Sequence, residues 1–160
     1  IGCDHCQSTG RCVFEEDVVN EWLEKAAEAD GYVFGSPVYF AHPSGHLLSV
    51  MDRMFMAGGE VFAHKPVAAV VTTRRAGTTA SLDAIQKHFT DAEMPIVSST
   101  YWNMVFSPAP ELVERDQEGL QTMRNLAKNM AWMLRCIAAG KEKGILPPAA
   151  EREHWTNFNR

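Results

Sequence analysis

Residues 31–55, GYVFGSPVYFAHPSGHLLSVMDRMF, constrain this chain more than any other stretch, because they read as strand, turn and helix in that order. Tyr32, Val33 and Phe34 make a short apolar run of the kind a doubly covered strand needs, and Gly35-Ser36-Pro37 punctuates it, so the strand is expected to stop at Pro37. Beyond the turn, Ser44 suits a helix N-cap, and Leu47, Leu48, Met51 and Phe55 recur at helical spacing on one face. In an open α/β sheet such a turn lies at the carboxyl end of its strand, where ligands bind. This one carries Tyr39, Phe40, His42 and Pro43, which either cradle a flat aromatic ligand or simply cover the end of the sheet.

The remaining elements follow the same alternation. Val18, Val19, Trp22, Leu23, Ala26 and Ala27 form one helical stripe over about 16–29, with Glu15, Glu16 and Asp17 at its positive end. The central helix is expected to run to Ala57 and to stop at Gly58-Gly59. Residues 66–73, PVAAVVTT, predict a second buried strand, and Leu82, Ile85 and Phe89 space out a further helix. A third strand is expected at 94–102, MPIVSSTYW, with Tyr101, Trp102, Asn103 and Met104 as a second ligand rim. A last helix is expected over 116–139, ended by Gly140. Leu126, Trp132 and Met133 widen its apolar face, which either meets another subunit or covers a wide core. Strands alternating with helices predict parallel pairing, right-handed crossovers and a doubly wound sheet. Three parallel strands alone leave an apolar edge unpaired at 32–36.

Length and charge narrow the function classes. A chain of 160 residues, 46% hydrophobic, supports one domain, placed at 1–144 with a polar tail at 145–160. The tail, with Pro147-Pro148, Trp155 and Phe158, is expected to strap a neighbour. A net charge of -5 with scattered Lys and Arg argues against nucleic-acid and anionic-membrane partners. No apolar run approaches the roughly 18 residues of a span, and four cysteines, three of them bunched at the start, are not the framework of a small secreted fold, so a cytoplasmic protein acting on small molecules is expected. Ile1 is not an initiator Met and the chain opens inside a cysteine cluster, so further sequence is expected upstream.

Two clusters carry chemistry of their own. Thr72-Thr73-Arg74-Arg75-Ala76-Gly77-Thr78-Thr79 ends a strand and opens a helix, offering hydroxyls, free N–H groups and two fixed positive charges, which is the composition of an anion site; the alternative is that the arginines pair with surface carboxylates. Cys3, Cys6 and Cys12 have the spacing C-x2-C-x5-C, at which thiolates hold soft metals or clusters; zinc would need His5 as the fourth ligand, and buried free thiols are the commoner use. Cys136 reads as core. His42, His46, His64 and His88 share no metal-binding spacing, and no Gly-x-Ser-x-Gly elbow is present, so hydrolase chemistry is disfavoured.

SPVYFAHPSGHLLSVMDRMF resembles the segment of the NADPH-dependent FMN reductase family in which a Ser/Thr-Pro-x-Tyr turn holds the isoalloxazine ring, and the resemblance continues through TTRRAGTTASLDAIQKHF, MPIVSSTYWNM and EGLQTMRNLAKNMAW. It implies a flavodoxin-like doubly wound parallel sheet, of which this chain supplies strands 3, 4 and 5 and lacks the first strand, phosphate loop, first helix and second strand. It also implies FMN as cofactor, NAD(P)H as co-substrate, a small-molecule electron acceptor and a homodimer, with residues 51–62 and the last helix at the boundary. Ser36, Pro37, Val38, Tyr39 and Phe40 fall on the flavin-contacting turn, and Thr72, Thr73, Arg74, Arg75 and Gly77 on the second flavin-side loop. In that setting the arginines either hold a phosphate of NADPH or stabilise the reduced ring. Asp52-Arg53 matches a helix-end pair of structural use. The cysteine run is also similar to that of the iron–sulfur flavoproteins, C-x2-C-x2-C-x5-C, with Cys3, Cys6 and Cys12 on its second, third and fourth positions; a four-iron four-sulfur cluster and a role in electron transfer are the alternative this implies.

Overall fold

The apolar run at 32–34 continues through its Gly-Ser-Pro punctuation into a longer strand than expected, β1 (Tyr32–Tyr39). Pro37 does not stop it. One edge of β1 pairs in parallel with β3 (Val67–Thr73), from Tyr32↔Val67 to Pro37↔Thr72. Over 32–37 the other edge has no strand beside it among the described residues, so a missing N–H is tolerated there. The computed structural model describes residues 2–154 and 156, so the expectation for Trp155 and Phe158 lies outside the described residues. A two-residue strand, β2 (His42–Pro43), folds back antiparallel on the end of β1, and β4 (Met104–Phe106) completes a sheet of order β2-β1-β3-β4.

The sheet is covered on both faces, as the alternation of elements requires. Phe62, Met51 and Met54 of α3 (Gly45–Phe62) and Leu82, Ile85 and Phe89 of α4 (Thr78–Asp91) pack with Val67, Ala69 and Val71. Val19, Leu23 and Ala26 of α2 (Val18–Glu28) join the same cluster, and Asp17 caps α2 by accepting the Val19 N–H at 3.1 Å. A shorter helix, α1 (His5–Thr9), precedes them. On the opposite face Met123, Leu126, Met130 and Met133 of α5 (Gln117–Glu142) meet Ala68, Val70 and Val97. Phe62, Ile85 and Phe89 are fully buried, each contributing about 1.5–3 kcal/mol. The cover is incomplete over β1, where Val33 remains 60% exposed.

Several boundaries differ from expectation for identifiable reasons. α3 runs through Gly58-Gly59 to Phe62 with a kink at Gly58, where a Cβ would lie 2.5 Å from Leu23 Cδ2; the glycine serves the close approach of α2 and α3 and does not end the helix. Residues 94–102 do not form a strand. They touch β3 through the single bridge Val67↔Ile96, and side chains bind the next residues to α5: Ser99 Oγ donates to the Thr122 carbonyl at 2.6 Å and Asn129 Nδ2 to the Ser98 carbonyl at 2.8 Å. The ladder resumes only at β4. Gly140 lies inside α5, which ends in a Schellman turn: Gly144 is left-handed at φ 76°, and the Ile145 N–H reaches the Gly140 carbonyl at 2.9 Å. Cys136 is exposed on α5 and not core, and Trp132 is 63% exposed while Leu126 is buried.

Candidate functional site

The turn after β1 is built by its first hydroxyl. Ser36 is buried; its Oγ accepts the Ser44 N–H at 2.8 Å and donates to the Pro37 carbonyl at 2.8 Å, so it braces the loop that leads into α3. Between β1 and β2 the chain reverses on Phe40 (φ 50°) and Ala41 (φ 61°). Two positive φ values at the centre of a two-residue hairpin mark a type I′ turn, normally given to Asn and Gly. Each L-residue so placed costs roughly 1–2 kcal/mol. The Phe40 side chain at this tip is wholly exposed, and Tyr39 beside it is 59% exposed.

The loop between β3 and α4 meets this hairpin. Gly77 has φ 93°, and a Cβ on it would collide with the α-carbon of Ala41 and lie 3.0 Å from Val38 Cγ1. Thr73 Oγ1 donates to the Ala76 carbonyl at 3.3 Å, holding the loop in a tight bend. No side chain caps α4, which leaves its first N–H groups free of an internal acceptor. Among the described residues, neither Arg74 nor Arg75 lies within salt-bridge distance of a carboxylate.

These loops border a largely apolar cleft of about 860 Å³. From the expected residues the cleft gathers Ser36, Pro37, Val38 and Tyr39 on one wall and Thr72, Thr73 and Arg74 on the next; Phe40, Arg75 and Gly77 lie outside its lining. Its third wall was not anticipated. Val105, Ser107, Pro108, Ala109, Pro110 and Val113, from the end of β4 and the 3-10 turn Pro110–Arg115, close the remaining side. Ser107 docks on the neighbouring loop by donating its N–H to the Thr73 carbonyl at 2.9 Å. The SPAP run at 107–110 was the available signal, since a Pro-rich loop at a strand's carboxyl end belongs to the ligand side. The expected rim at 101–104 does not take this place: Tyr101 and Trp102 pack edge to face on the surface, with centroids 5.0 Å apart, and Asn103 is buried under β3 with its Nδ2 donating to the Ala69 carbonyl at 3.0 Å.

The cysteine segment lies elsewhere, against α3. Cys6 Sγ points to the Met56 carbonyl at 3.7 Å, Cys3 is exposed, and Cys12 Sγ accepts from both Nε and Nη2 of Arg53 at 3.2 Å. Asp52 and Arg53 lie in the middle of α3 and not at a helix end, because the helix runs on to Phe62, and the pair is divided between two tasks: Arg53 also binds Asp17, and Asp52 Oδ1 lies 2.8 Å from His88 Nε2 on α4. The Asp17 carboxyl is held below its ordinary value, first by the Arg53 bond and then by the Val19 N–H.

Residues 3–108 match the family described as NADPH-dependent FMN reductase. The chain belongs to that family. It is 33% identical to an iron–sulfur flavoprotein of Methanocaldococcus jannaschii over 148 residues, covering 86% of this chain and 75% of the relative, and 27% identical to an iron–sulfur flavoprotein of Methanosarcina thermophila, covering 88% and 74%. Among solved structures it is similar in fold to an NADH:FMN oxidoreductase, with TM-score 0.58 and 16% identity over 74% of this chain and 62% of the other. A flavone reductase gives TM-score 0.57 at 16% identity over 80% and 49%. The FMN reductase family is one of flavin-dependent oxidoreductases with the flavodoxin-like fold, and the mixed sheet flanked by helices agrees with it.

The two groups that this kinship implies fare differently against the residues present. A flat ring system suits the cleft, which has apolar walls, an exposed tyrosine at one side and a cationic arginine at another. The thiols do not suit a cluster as they stand. Among the described residues no three His, Cys, Asp or Glu side chains are gathered to hold a metal, and the Cys12 sulfur is already engaged by Arg53.

Proposed function

We propose that this protein is an FMN-dependent NAD(P)H oxidoreductase that passes hydride to a quinone, free flavin, nitro compound or similar acceptor, working in the cytoplasm as a homodimer. The observation that carries this reading is the convergence of the β1 turn and the β3–α4 loop on one apolar cleft at the carboxyl ends of two parallel strands, within a chain of the FMN reductase family. FMN, when bound, supplies the ring that accepts and gives up hydride. The chain's own part is positional and electrostatic. Pro37 and Tyr39 provide flat apolar surface, the prolines at 108 and 110 remove two backbone N–H donors from the third wall, and the Arg74 guanidinium places a fixed positive charge at the rim. Arg75, outside the cleft lining beside the open start of α4, suits a phosphate of the incoming nicotinamide cofactor. Of the expected dimer boundary, Met51, Met54 and Phe62 are buried within the domain, so the exposed Met56 and Trp132 remain the surfaces for a second copy.

The deciding experiment is an anaerobic absorption spectrum followed by addition of NADPH and NADH. A two-banded flavin spectrum that bleaches supports the reading, and absence of protein-retained flavin bands after FMN is added and the excess removed by desalting defeats it. The second reading is an electron-transfer protein with a four-iron four-sulfur cluster on Cys3, Cys6 and Cys12, favoured by the similarity to iron–sulfur flavoproteins. Broad thiolate-to-iron absorption beneath the flavin bands would establish it.

A further inference from the structure

Cys12 is enclosed on every polar atom. Asn20, itself buried, accepts the Cys12 N–H on Oδ1 at 2.9 Å and donates from Nδ2 to the Cys12 carbonyl at 3.0 Å, and its Nδ2 also reaches the Phe14 carbonyl at 3.3 Å. One side chain therefore does for residues 12–14 what a neighbouring strand would do. The sulfur is satisfied separately, by Nε and Nη2 of Arg53 at 3.2 Å each. That guanidinium is fixed in turn: Nη1 and Nη2 reach the two Asp17 oxygens at 2.5 and 3.1 Å, and the Phe14 ring lies with its centroid 5.1 Å from the guanidinium carbon. Asp17 also caps α2, so Asp17, Arg53 and Cys12 join the cysteine segment, α2 and α3 at one point. A rigid fork of N–H donors directed at a sulfur is a complete hydrogen-bonding arrangement in itself. Iron entering at Cys12 would have to displace both N–H···S bonds.

We propose that Cys12 serves this chain as the sulfur acceptor of an Asp17–Arg53–Cys12 clasp that fastens the cysteine segment onto α3, in place of a metal ligand. The clasp separates this chain from the cluster-bearing use implied by the names of its relatives, and it leaves the FMN reductase reading intact, since the clasp and the cleft share no residue.

Replacing Cys12 distinguishes the two roles. Serine keeps an acceptor for Arg53 and valine does not, whereas both remove a thiolate ligand. The flavin-loaded protein, Cys12→Ser and Cys12→Val are incubated anaerobically with ferrous iron and sulfide, desalted, and assayed for iron and acid-labile sulfide; each is also subjected to limited proteolysis, with cleavage followed at Arg11 by mass spectrometry. The clasp predicts iron well below one per chain in the parent, parent-like resistance in Cys12→Ser, and cleavage at least tenfold faster in Cys12→Val and in Arg53→Leu. About four irons per chain in the parent, lost equally in Cys12→Ser and Cys12→Val, would overturn it. Equal proteolysis of the serine and valine variants would overturn it as well. Retained flavin bands in every variant keep the outcome separate from any failure of the FMN reading.

Discussion

The α-carbon of Ala41 occupies the place that a side chain on Gly77 would need. This contact joins the tip of the β1–β2 hairpin to the entrance of α4, so two loops whose contacting residues, Ala41 and Gly77, are 36 residues apart along the chain act as one wall-and-corner unit. The obstructing atom is backbone, which cannot rotate away. Gly77→Ala should therefore push the loops apart at a cost of about 1–3 kcal/mol. FMN affinity, followed by quenching of flavin fluorescence, should fall about tenfold or more while the far-ultraviolet circular dichroism is unchanged.

Tyr39 and Arg74 face the same cleft from different loops. Removing the ring in Tyr39→Ala should weaken FMN binding by about 1 kcal/mol. Arg74→Ala should act more on the reduced than on the oxidised flavin, because only the reduced ring carries the negative charge that a guanidinium stabilises. The flavin midpoint potential should fall in Arg74→Ala and stay near the parent value in Tyr39→Ala. Unchanged affinity and potential in both would remove these residues from the site.

The Asp17 carboxyl, lowered first by Arg53 and then by the Val19 N–H, ties stability to acid. Its folded pKa lies below its unfolded one, so the stabilisation is present above about pH 4 and is lost as pH falls through the lower folded value. Asp17 is 40% exposed, and solvent screening holds the contribution to at most about 1 kcal/mol. Urea midpoints at pH 7 and pH 3 should differ less in Asp17→Asn than in the parent. An equal difference in the two proteins would deny the linkage.

Gly58 and Leu23 offer a test of the α2–α3 packing. A methyl at Gly58 meets Leu23 Cδ2, the movable end of a side chain, so Gly58→Ala should destabilise by about 1 kcal/mol, near the lower bound for overpacking. In Gly58→Ala/Leu23→Ala the clash disappears. The double variant should be more stable than the sum of the single effects predicts, by at least about 0.5 kcal/mol in chemical denaturation.

The parts of this fold that could be read from sequence are those in which one physical signal dominates. β3 and the apolar faces of α2, α4 and α5 are set by burial periodicity, and all appear near their expected bounds. The misjudged parts are those where a side chain substitutes for a regular element. Residues 94–102 have strand-like composition, yet Ser99 and Asn129 bind that segment to α5. Gly58 looked like punctuation because sequence does not show that Leu23 presses against it. At the site, residues 36–39 and 72–74 come together as their positions at parallel strand ends require, whereas the wall at 105–113 is hidden by the strand-like composition of 94–102, which ends short of the ladder that resumes at Met104–Phe106.

The Phe40–Ala41 tip gives the ligand-side hairpin an unusual dependence on its surroundings. Its backbone sits above its own local minimum, so the shape is imposed by the Ser36 brace, the short β2 pairing and the pressure of Gly77. Such a loop is not portable. Cut out as a peptide or grafted onto another scaffold, residues 36–44 would relax to a different turn, and recognition would vanish with every contacting side chain still present. What the site remembers is held in its neighbours.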